Sequence, residues 1–455
     1  MQRIHFIAIG GAAMHNLAIA LCKEGYNVTG SDDEIFEPSK SRLANYNLLP
    51  SEFGWFADKI TTNIDAIVLG MHARQDNPEL IRARELGLKI FSYPEFLYNQ
   101  TMNKTRVVIG GSHGKTSTTA MIMHVLKNLN VNFDYMVGSQ VEGFETMVKL
   151  SDEAKIAVFE GDEYLSSPID LRPKFHLYQP TIGLITGIEW DHINVFPTFE
   201  IYKKQFSIFV DLIDVNGSLV YFNGDKNIVS IVESEKRSID KVGYNTPKYE
   251  IEDGVTYVFY NSKKIAINVF GEHNLQNMEG ARLVCNKLGV ADEDFYYAIS
   301  SFNGAGRRLQ LLENEGERYV YNDFAHSPSK LRATVKAVSA QYPKHRIVAC
   351  MELHTFSSLN KEFLSEYKDT MIGPDRAIVF FNPETVKHKR LPDISENDIY
   401  SAFNRSDLEV FSDSQKLLKT ILDEEEEKIV FLLMSSGNFS GLDIKRVAQL
   451  AVKKV

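Results

Sequence analysis

The sequence predicts an α/β protein of three domains, and three observations lead to this fold class. At 455 residues the chain is longer than a typical single domain. Short apolar runs alternate with helical patterns along it, which is typical of parallel sheets with helices on their faces. A polar segment and a glycine-rich segment interrupt this alternation, and we place the domain boundaries there, giving residues 1–103, 104–306 and 307–455.

Composition and charge exclude several classes of protein. The 44 % hydrophobic and 24 % charged residues are typical of globular chains. A net charge of −10 argues against a general nucleic-acid binder, although local lysines and helix ends can still bind a compact anion. No run of about 18 apolar residues indicates a membrane span. Cys22, Cys285 and Cys350 stand in no metal-ligand spacing and fit a reducing cytoplasm. From the charge, the apolar runs and the cysteines together we expect a cytoplasmic protein with no nucleic-acid or membrane partner.

The first domain is predicted from its alternating segments. The strands are "IHFIAIG", "YNVTGSD" and "AIVLGM", and the helices are Met14–Glu24 and "NPELIRARELG". The glycine pair after the first strand interrupts what would otherwise resemble a signal peptide. The polar segment Tyr98–Thr105, "YNQTMNKT", is the predicted boundary to the second domain.

The second and third domains show the same alternation. The second begins with the strand "RVVIGG" and a helix, continues through "IAVFEGDEY" and "TIGLITGIEWDH", and ends near "FNGAGRR". We expect short strands rather than helices in Asn216–Val269. The third contains "YVYNDFAHSP", "RIVACMEL", "RAIVFFN" and "KIVFLLMSSGN", with loops and helices between them. The acidic run Asp423–Glu427 is predicted to be the solvated face of a helix.

The stretch "GGSHGKTSTT" predicts a loop that cradles a phosphate. Its glycines permit a tight turn whose N–H groups point at an anion, and the helix that follows presents its positive end there. Lys115 would meet the terminal phosphates of ATP, and the Thr116 hydroxyl would bind Mg²⁺. The standard pattern G-x-x-x-x-G-K-[ST] is incomplete, because Ile109 stands at its first position.

Acidic side chains and a histidine follow the next two buried strands. "VFEGDEY" carries Glu160, Asp162 and Glu163, and "GIEWDHINVF" carries Asp191 and His192. Carboxylates suit Mg²⁺, which prefers oxygen ligands. Surface charges at strand ends are the alternative interpretation, and a lone histidine is more often structural than a ligand. Three strands ending in a phosphate loop, an acidic cluster and a histidine favour a common site.

The motifs "GGSHGKTSTT", "FEGDEY", "EWDHINVF", "GEHNLQN", "GRRLQ" and "NDFAHSP" resemble, in this order, those of the Mur ligases of bacterial cell-wall synthesis. The resemblance covers essentially the whole chain. It implies an N-terminal Rossmann-like domain for a UDP-sugar, a central P-loop domain of the ATPase type, and a C-terminal Rossmann-like domain that closes over both and positions an amine. It also implies that ATP converts the lactyl carboxylate of UDP-N-acetylmuramate into an acyl phosphate, which the amine then attacks.

The resemblance also implies the site residues. Lys115, His192 and Arg308 would be catalytic, and Thr116 with Glu160 would hold one Mg²⁺ while His192 serves a second. The residues expected to contact ATP are Gly111, Ser112, His113, Gly114, Lys115, Thr116, Ser117, Asn274, Asn277, Arg308 and Asp323. Those expected to contact the UDP-sugar are Gly10, Gly11, Ser31, Asp32 and His72.

The amine is predicted from three stretches. "GSDDEIFEPS", "EGDEYLSSPIDLRPKFHLYQP" and "MSSGNFSG" favour the subfamily that adds L-Ala-γ-D-Glu-meso-diaminopimelate in peptidoglycan recycling. The L-alanine-adding subfamily is the alternative, and it is expected to have serine where this chain has Tyr164. The chain departs from the family pattern at Ala8 and Ala13, commonly glycine, and at Asn194, commonly aspartate. Lys203 and Lys204 lie near the site, and neither is assigned as a carbamoylated metal bridge.

Two further hypotheses concern other parts of the chain. A nicotinamide-dependent oxidoreductase, or a nucleotide-regulated binding protein, would use the first domain, but the oxidoreductase needs a G-x-G-x-x-G fingerprint that "AIGGAAMHN" lacks. The basic run Lys387–Arg390 is a hypothetical contact for the carboxylates of a peptide, with a solvated loop as the alternative.

Overall fold

The computed structural model describes residues 2–192 and 194–453. The chain divides into two compact units, Met1–Asn245 with Gln276–Ile299, and Thr246–Leu275 with Ser300–Val455. Both contain parallel sheets covered by helices, so the predicted α/β fold class is confirmed. In the part of the chain so described, no helix is long and apolar enough to cross a membrane.

The N-terminal sheet of the first unit is wholly parallel, in the order β2-β1-β3-β4. Its elements are β1 (Arg3–Ile7), α1 (Ala12–Lys23), β2 (Asn27–Ser31), α2 (Ser39–Asn45), a 3₁₀ turn (Ala57–Lys59), β3 (Ala66–Leu69), α3 (Pro78–Glu85), β4 (Lys89–Ser92) and α4 (Tyr93–Thr101). The strands and helices predicted here are confirmed. The polar segment predicted as a boundary begins inside α4, which starts at a Ser92–Glu95 capping box.

The central sheet has the order β13-β12-β11-β5-β8-β6-β7. It is parallel except for β7, which runs antiparallel to β6. The elements of this region are β5 (Thr105–Gly110), α5 (Lys115–Asn128), β6 (Phe133–Met136), β7 (Val148–Lys149), β8 (Ile156–Glu160), β9 (Leu165–Ser167), β10 (Asp170–Pro173), α6 (Lys174–Leu177), β11 (Ile182–Ile185), α7 (Phe199–Asp211), β12 (Ser218–Phe222), α8 (Lys226–Ser234) and β13 (Asp240–Tyr244).

Arg106, on β5, joins two segments of the first unit. Its side chain is almost fully buried, with 5 % of its surface exposed. The guanidinium donates to backbone carbonyl oxygens at the end of α4 and before β11, namely those of Thr101, Met102, Lys104, Tyr178 and Gln179. It thereby satisfies carbonyl groups that a helix end leaves without partners.

The second unit contains a small antiparallel sheet and a larger mixed one. From residue 246 onwards the chain forms β14 (Tyr249–Glu252), β15 (Val255–Tyr260), β16 (Lys263–Ile267), α9 (Glu272–Lys287), α10 (Asp292–Ile299), β17 (Gln310–Glu315), β18 (Arg318–Asp323), α11 (Pro328–Gln341), β19 (Arg346–Leu353), a 3₁₀ turn (Leu364–Tyr367), β20 (Arg376–Phe381), α12 (Pro383–His388), α13 (Glu396–Phe403), β21 (Glu409–Phe411), α14 (Ser414–Leu422), β22 (Ile429–Met434) and α15 (Ile444–Ala451). The larger sheet has the order β17-β18-β22-β19-β20-β21, with β17 antiparallel. Helix α9 begins in the second unit and continues into the first, to which α10 belongs.

The prediction of strands alone in Asn216–Val269 is wrong at α8. Asp225 caps this helix by accepting hydrogen bonds from the backbone N–H groups of residues 227 and 228. Ile228, Ile231 and Val232 are buried, at the i, i+3, i+4 spacing of an amphipathic helix. The strands β12 to β16 in the same segment are confirmed.

The acidic run Asp423–Glu427 is exposed as predicted except at Glu424, but the prediction that it lies on a helix is wrong. Helix α14 ends at Leu422, so the run follows a helix instead of lying on one. Glu424 is buried, and its carboxylate lies 2.9 Å from Arg376 and 3.1 Å from Arg346. The two arginines lie at the starts of β20 and β19, and the glutamate forms an ion pair with each.

Candidate active site

Three adjacent strands of the central sheet bring two of the three predicted catalytic residues, Lys115 and His192, to one edge. β5 pairs in parallel with β8 on one side and with β11 on the other. Ile109 lies opposite Glu160, and Gly110 lies opposite Ile185. The phosphate loop, the acidic cluster and the loop that carries His192 therefore all leave the sheet at its carboxyl edge, where open α/β sheets bind ligands.

The phosphate loop depends on two glycines in left-handed backbone conformations. Gly111 has φ 138° and Gly114 has φ 77°. A side chain at Gly111 would come within 3.1 Å of the Thr186 nitrogen, and one at Gly114 within 3.1 Å of the Asn277 side-chain carbon. Gly114 begins α5 without a side-chain cap, so the first N–H groups of the helix point towards the loop. Asn277, predicted to contact ATP, thus lies against the phosphate loop.

Ser112 and His113 face the protein within this loop. The Ser112 N–H donates to the carbonyl oxygen of Gly187 at 2.9 Å, and its hydroxyl lies 2.8 Å from the Tyr202 hydroxyl. The Thr186 hydroxyl donates to the backbone carbonyl of His113. In this arrangement the donors of Ser112 are engaged inside the domain, so its predicted contact with ATP needs a rearrangement. Ser117, also predicted to contact ATP, is buried in the first turn of α5.

Lys115 forms a buried ion pair with Glu163. Its ammonium nitrogen lies 2.7 Å from a Glu163 carboxylate oxygen and 2.5 Å from the carbonyl oxygen of Gly111. The two side chains are 13 % and 1 % exposed. Burial lowers the pKa of Lys115, but the charges of Glu163 and Asp162 outweigh it and raise the pKa above its ordinary value. The loop therefore holds a permanent cation, which a carboxylate of the same site neutralises.

Thr116 and Glu160 form the first candidate position for Mg²⁺. The threonine hydroxyl donates to one Glu160 oxygen at 2.9 Å, and the Gly138 N–H donates to the other at 2.7 Å. A hydroxyl and a carboxylate at a phosphate loop are oxygen ligands that suit Mg²⁺, which keeps several waters. These residues fit the role that the sequence predicts for them.

Asp162, Glu163 and His192 form the second candidate position. One ligand atom from each lies within 4.8 Å of the others. Burial raises the pKa of Asp162, but Lys174, whose nitrogen lies 2.6 Å away, together with Lys115, outweighs burial and lowers it to about 2. Asp162 is therefore ionised at neutral pH. Two carboxylates and an imidazole at this spacing fit a divalent cation.

His192 is held in a left-handed conformation, with φ 54°. Its N–H donates to the Asp191 carboxylate at 2.7 Å, and its ring packs edge-on against Tyr164, 5.1 Å between centroids. The Asn194 amide lies 3.4 Å from the Tyr164 hydroxyl. A non-glycine residue in this region of backbone space is strained by about 1–3 kcal/mol, and such strain concentrates at functional sites.

The residues predicted to bind the UDP-sugar share the carboxyl edge of the N-terminal sheet. Gly10 and Gly11 follow β1, Ser31 ends β2 and precedes Asp32, and the exposed His72 follows β3. The Gly10 N–H donates to the Asp32 carboxylate at 2.7 Å, and burial raises the pKa of Asp32 to about 6. Ser31 is fully buried, and its hydroxyl has no hydrogen-bond partner among residues 2–192 and 194–453.

Asn274 and Arg308 belong to the second compact unit, whereas the phosphate loop belongs to the first. The Asn274 amide donates to the carbonyl oxygen of Phe270 at 3.0 Å and is buried in the first turn of α9. The Arg308 guanidinium lies over the ring of Phe324, 4.7 Å from its centroid. Their contacts with ATP stay predictions.

Asp323 ends β18 in the same unit and is 6 % exposed. Its carboxylate accepts hydrogen bonds from the N–H groups of Leu309, at 2.6 Å, and Ala325, at 2.7 Å. Burial raises its pKa, against the opposing effects of Arg308 and these hydrogen bonds. A ribose hydroxyl of ATP would donate to the lone pairs of the Asp323 carboxylate that these N–H groups leave unused. This contact also stays a prediction.

Tyr202 is a site residue that sequence reasoning missed. It lies on α7, is fully buried, and its hydroxyl contacts both Ser112 and Glu163. In "FEIYKKQFSIF" its position matches the apolar stripe of an amphipathic helix, which indicates core packing. The available signal was the hydroxyl itself, because a buried tyrosine usually needs a hydrogen-bond partner.

The fold and the site define an ATP-dependent enzyme of the α/β class, and the comparisons with known proteins agree. Residues 3–105 match the model "Mur ligase family, catalytic domain", residues 109–285 match "Mur ligase middle domain", and residues 307–437 match "Mur ligase, glutamate ligase domain". The matches follow one another in the order expected for three domains. They leave the boundaries at 103/104 and 306/307 as predictions.

Curated relatives and solved structures extend this similarity over the whole chain. The UDP-N-acetylmuramate–L-alanine ligase of Clostridium tetani is 30 % identical over 82 % of this chain and 83 % of its own length. That of Caldicellulosiruptor bescii is 28 % identical over 100 % and 99 %. The murein peptide ligase of Psychrobacter arcticus has a TM-score of 0.66 at 21 % identity, covering 100 % of both chains. The UDP-N-acetylmuramate–alanine ligase of Thermotoga maritima has a TM-score of 0.73 at 21 % identity, covering 99 % and 98 %.

The chain belongs to the Mur ligase family. It is an ATP-dependent ligase that forms carbon–nitrogen bonds in peptidoglycan synthesis. Members of the family generally use Mg²⁺. The oxygen donors of Thr116 and Glu160, and the two carboxylates of the Asp162–Glu163–His192 cluster, fit that ion.

Proposed function

We propose that this ligase activates the lactyl carboxylate of UDP-N-acetylmuramate with ATP and joins it to L-Ala-γ-D-Glu-meso-diaminopimelate in peptidoglycan recycling. The observation that carries the activation step is the grouping at one sheet edge of a buried loop lysine, Lys115, with the Thr116–Glu160 pair and the Asp162–Glu163–His192 cluster. Such a grouping combines a phosphate cradle with positions for divalent cations.

The chemistry explains why these residue types are needed. A carboxylate acylates amines only once it is phosphorylated, so its oxygen attacks the γ-phosphorus, the bond to the β-phosphate oxygen breaks, and ADP leaves. The amine nitrogen then attacks the acyl carbon, inorganic phosphate leaves with the electrons of the carbon–oxygen bond, and the nitrogen loses a proton. Two anions must meet in the first step, so positive charge at the phosphates stabilises the transition state. Mg²⁺, held by Thr116 with Glu160 and by the Asp162–Glu163–His192 cluster, supplies part of that charge when bound.

Lys115 supplies the remaining positive charge at the phosphates, and it must exchange hydrogen-bond partners to do so. Its ammonium group contacts Glu163 and the Gly111 carbonyl. A phosphate oxygen that enters the loop replaces the carboxylate as the partner of the lysine. Glu163 then serves the cluster with Asp162 and His192, so a single carboxylate neutralises the loop without ATP and serves the cation site with it.

The UDP-sugar is proposed to bind at the carboxyl edge of the N-terminal sheet. The Gly10 N–H is engaged by Asp32, so a diphosphate would use the N–H groups from Gly11 onwards. Helix α1 begins at Gly11 without a side-chain cap, which leaves its first N–H groups for an anion. Ser31 and His72 would contribute polar groups at the same edge.

The proposal of a peptide as the amine is supported by the sequence stretches that favour the tripeptide subfamily, and by Tyr164. This tyrosine packs against His192 at the centre of the site, where the alanine-adding subfamily is expected to have serine. L-Alanine is the second candidate amine, supported by the names of the relatives from C. tetani and C. bescii. The proposed phosphorylation step is the same for both.

Phosphate release with ATP, Mg²⁺ and UDP-N-acetylmuramate tests the proposal, with L-alanine and the tripeptide compared as amines. We expect turnover with the tripeptide and background release with L-alanine. Turnover with L-alanine alone assigns the alternative function, and release with neither amine contradicts the activation chemistry. Omission of the UDP-sugar is the control for uncoupled ATP hydrolysis.

The basic run Lys387–Arg390 gives a second test of the amine. Lys387 lies at the end of α12, with its side chain 63 % exposed, and pairs with Glu384 at 2.8 Å. Replacement of Lys387, Lys389 and Arg390 by serine is expected to raise the KM for the tripeptide about threefold and to leave that for ATP unchanged, since exposed charges contribute little each. An unchanged KM for the peptide would show that the run is a solvated surface.

A further inference from the structure

The hydroxyl of Tyr202 connects the phosphate loop to the acidic cluster. It lies 2.8 Å from the Ser112 hydroxyl and 3.0 Å from a Glu163 carboxylate oxygen. Tyr202 is fully buried, Glu163 is also fully buried, and Ser112 is 6 % exposed. In so buried a place a hydrogen bond is not exchanged with water, and its loss leaves the partners unsatisfied.

The direction of these hydrogen bonds follows from counting donors. An ionised Glu163 has no hydrogen to give, so the Tyr202 hydroxyl donates to it and accepts from Ser112. The Ser112 oxygen in turn accepts from the Glu189 N–H, 2.8 Å away. Each group in this chain therefore donates to the next in the same direction, from the Glu189 N–H to Ser112, then to Tyr202, then to Glu163. Bonds aligned in this manner polarise and strengthen one another.

The Tyr202 hydroxyl and the Lys115 ammonium group together engage both oxygens of the Glu163 carboxylate. Tyr202 holds Oε1, and Lys115 holds Oε2 at 2.7 Å. The same Oε1 lies 3.6 Å from the His192 ring nitrogen, within the three-residue cluster. Tyr202 takes one lone pair of Oε1, and the other stays within reach of a cation held by the cluster.

Core packing accounts for an aromatic ring at position 202 but not for the hydroxyl group that the ring carries. The ring contacts Phe196 and Phe206, with centroids 5.5 and 5.3 Å away. A phenylalanine would keep both contacts. Tyr178, another fully buried tyrosine of the same unit, packs on Phe159, and its hydroxyl has no hydrogen-bond partner in the described part of the chain.

We propose that Tyr202 is a positioning residue that orients Glu163 for a divalent cation at the Asp162–Glu163–His192 cluster and ties that carboxylate to the phosphate loop through Ser112. The inference rests on the proposed activation chemistry and is independent of the amine. Groups that orient a ligating carboxylate typically change metal affinity or activity by about 10–100-fold when they are removed.

The test is binding of Mn²⁺, as a paramagnetic probe for Mg²⁺, to the full chain saturated with a non-hydrolysable ATP analogue, followed by electron paramagnetic resonance. The analogue is needed because a phosphate is proposed to replace Glu163 as the partner of Lys115. We expect Tyr202→Phe to weaken Mn²⁺ binding about tenfold or more. Tyr178→Phe, which removes a hydroxyl of equal burial with no such partners, should bind Mn²⁺ like the unmodified protein. Thermal unfolding of both variants checks that each is folded.

Steady-state kinetics provide the second readout. In Tyr202→Phe the Mg²⁺ concentration for half-maximal rate should rise about tenfold, with a smaller change in kcat at saturating Mg²⁺. The KM for the UDP-sugar should stay unchanged. Ser112→Ala, which removes the far end of the hydrogen-bond chain, should change the Mg²⁺ requirement in the same direction and by less.

Several results would overturn the inference. They are a folded Tyr202→Phe that binds Mn²⁺ normally, equal losses in Tyr202→Phe and Tyr178→Phe, or no Mn²⁺ binding by the unmodified protein. If the unmodified protein binds Mn²⁺, Tyr202→Phe weakens it, and no amine supports phosphate release, the inference stands and the proposed function fails. The two failures are therefore distinguishable.

Discussion

Two regions of this molecule share a backbone plan and differ in their charges. β1 leads through a glycine turn into α1, and β5 leads through another into α5, and neither helix has a side-chain cap at its start. At the first turn a carboxylate, Asp32, binds the N–H of the turn itself. At the second turn the carboxylate, Glu163, binds the lysine that the loop carries.

The difference shows that a glycine turn before a helix does not by itself define a triphosphate site. Both turns offer N–H groups and a positive helix end. The second adds a side-chain cation, Lys115, which we propose exchanges its carboxylate for a phosphate. In the first, the carboxylate of Asp32 already accepts a hydrogen bond from one N–H of the turn. We therefore expect the first turn to hold its ligand mainly through neutral contacts and the second mainly through charge.

The largest expected effect follows from removing the lysine charge that distinguishes the second turn from the first. Lys115→Met should lower kcat/KM for ATP about 10²–10³-fold, the usual loss when one group that stabilises a transition-state charge is removed. It should also destabilise the protein by about 3–5 kcal/mol, because Glu163 is left as an unpaired buried charge. Phosphate release and urea unfolding measure the two effects.

A double variant separates these two roles of Lys115. Lys115→Met with Glu163→Gln removes both charges and should recover most of the lost stability without recovering activity. Near-normal phosphate release by Lys115→Met would contradict the comparison, since the second turn would then work without its cation.

The second prediction concerns pH and the first turn. Burial raises the pKa of Asp32 to about 6, from 3.8, so the folded state binds the Asp32 proton more tightly than the unfolded state does. The contribution of this group to the free energy of unfolding therefore falls as pH rises from about 4 to about 6, by up to ~3 kcal/mol. Asp32→Asn, which does not titrate, should lose that slope and gain stability relative to the unmodified protein across this range.

Tryptophan fluorescence can follow the unfolding of the N-terminal region. The chain has two tryptophans, Trp55 in the N-terminal region and Trp190 beside the central site. In a Trp190→Phe background, urea unfolding followed at Trp55 compares the Asp32→Asn variant with its parent from pH 4 to pH 7. Parallel stability curves for the variant and the parent would show that Asp32 titrates normally.

The third prediction compares the shapes of the two turns. Gly114→Ala places a side chain at φ 77° and near Asn277, so it should cost about 2 kcal/mol and raise the KM for ATP. Gly11 has φ −58°, and a side chain there meets Met14 at an ordinary 3.4 Å, so Gly11→Ala should cost under about 1 kcal/mol. Thermal unfolding of the pair is the measurement. Equal losses would mean that both turns depend on glycine to the same degree.

The smallest expected effect is at Ala8, where the family commonly has glycine and this chain has φ 69°. Ala8→Gly relieves about 1–2 kcal/mol of left-handed strain. It also loses about 0.5–1 kcal/mol to backbone entropy and about 0.8 kcal/mol of apolar burial. The net change should lie within about 1 kcal/mol of zero. A gain well above that, measured by thermal unfolding, would show that the first turn stores strain.

The sequence predicted those parts of the fold and site that depend on local pattern. Apolar runs identified β5, β8 and β11, and their order in the chain led to the shared edge, because parallel strands present their carboxyl ends together. Helix α8 was missed because its nine residues lie among short strands, where a brief apolar run is ambiguous.

Other features depend on contacts that no local pattern encodes. Glu424 was interpreted as solvated because it stands in an acidic run. It is buried instead, and it pairs with Arg346 and Arg376, which are far from it in the sequence. The contacts of Tyr202 arise where α7 meets the phosphate loop and the acidic segment after β8, and nothing in the α7 sequence specifies those neighbours. Long-range packing, not propensity, decides such positions.

Arg106 has a consequence for protein engineering. The carbonyl groups that accept hydrogen bonds from Arg106 belong both to the end of α4 and to the segment before β11. The junction near residue 103 is therefore held by buried hydrogen bonds and is not a flexible linker. A chimera that takes its N-terminal region from another ligase should therefore exchange the chain upstream of α4, and keep α4 and β5 from one parent. A cut between them would take the buried guanidinium from one parent and two of its acceptors, the carbonyl groups of Thr101 and Met102, from the other.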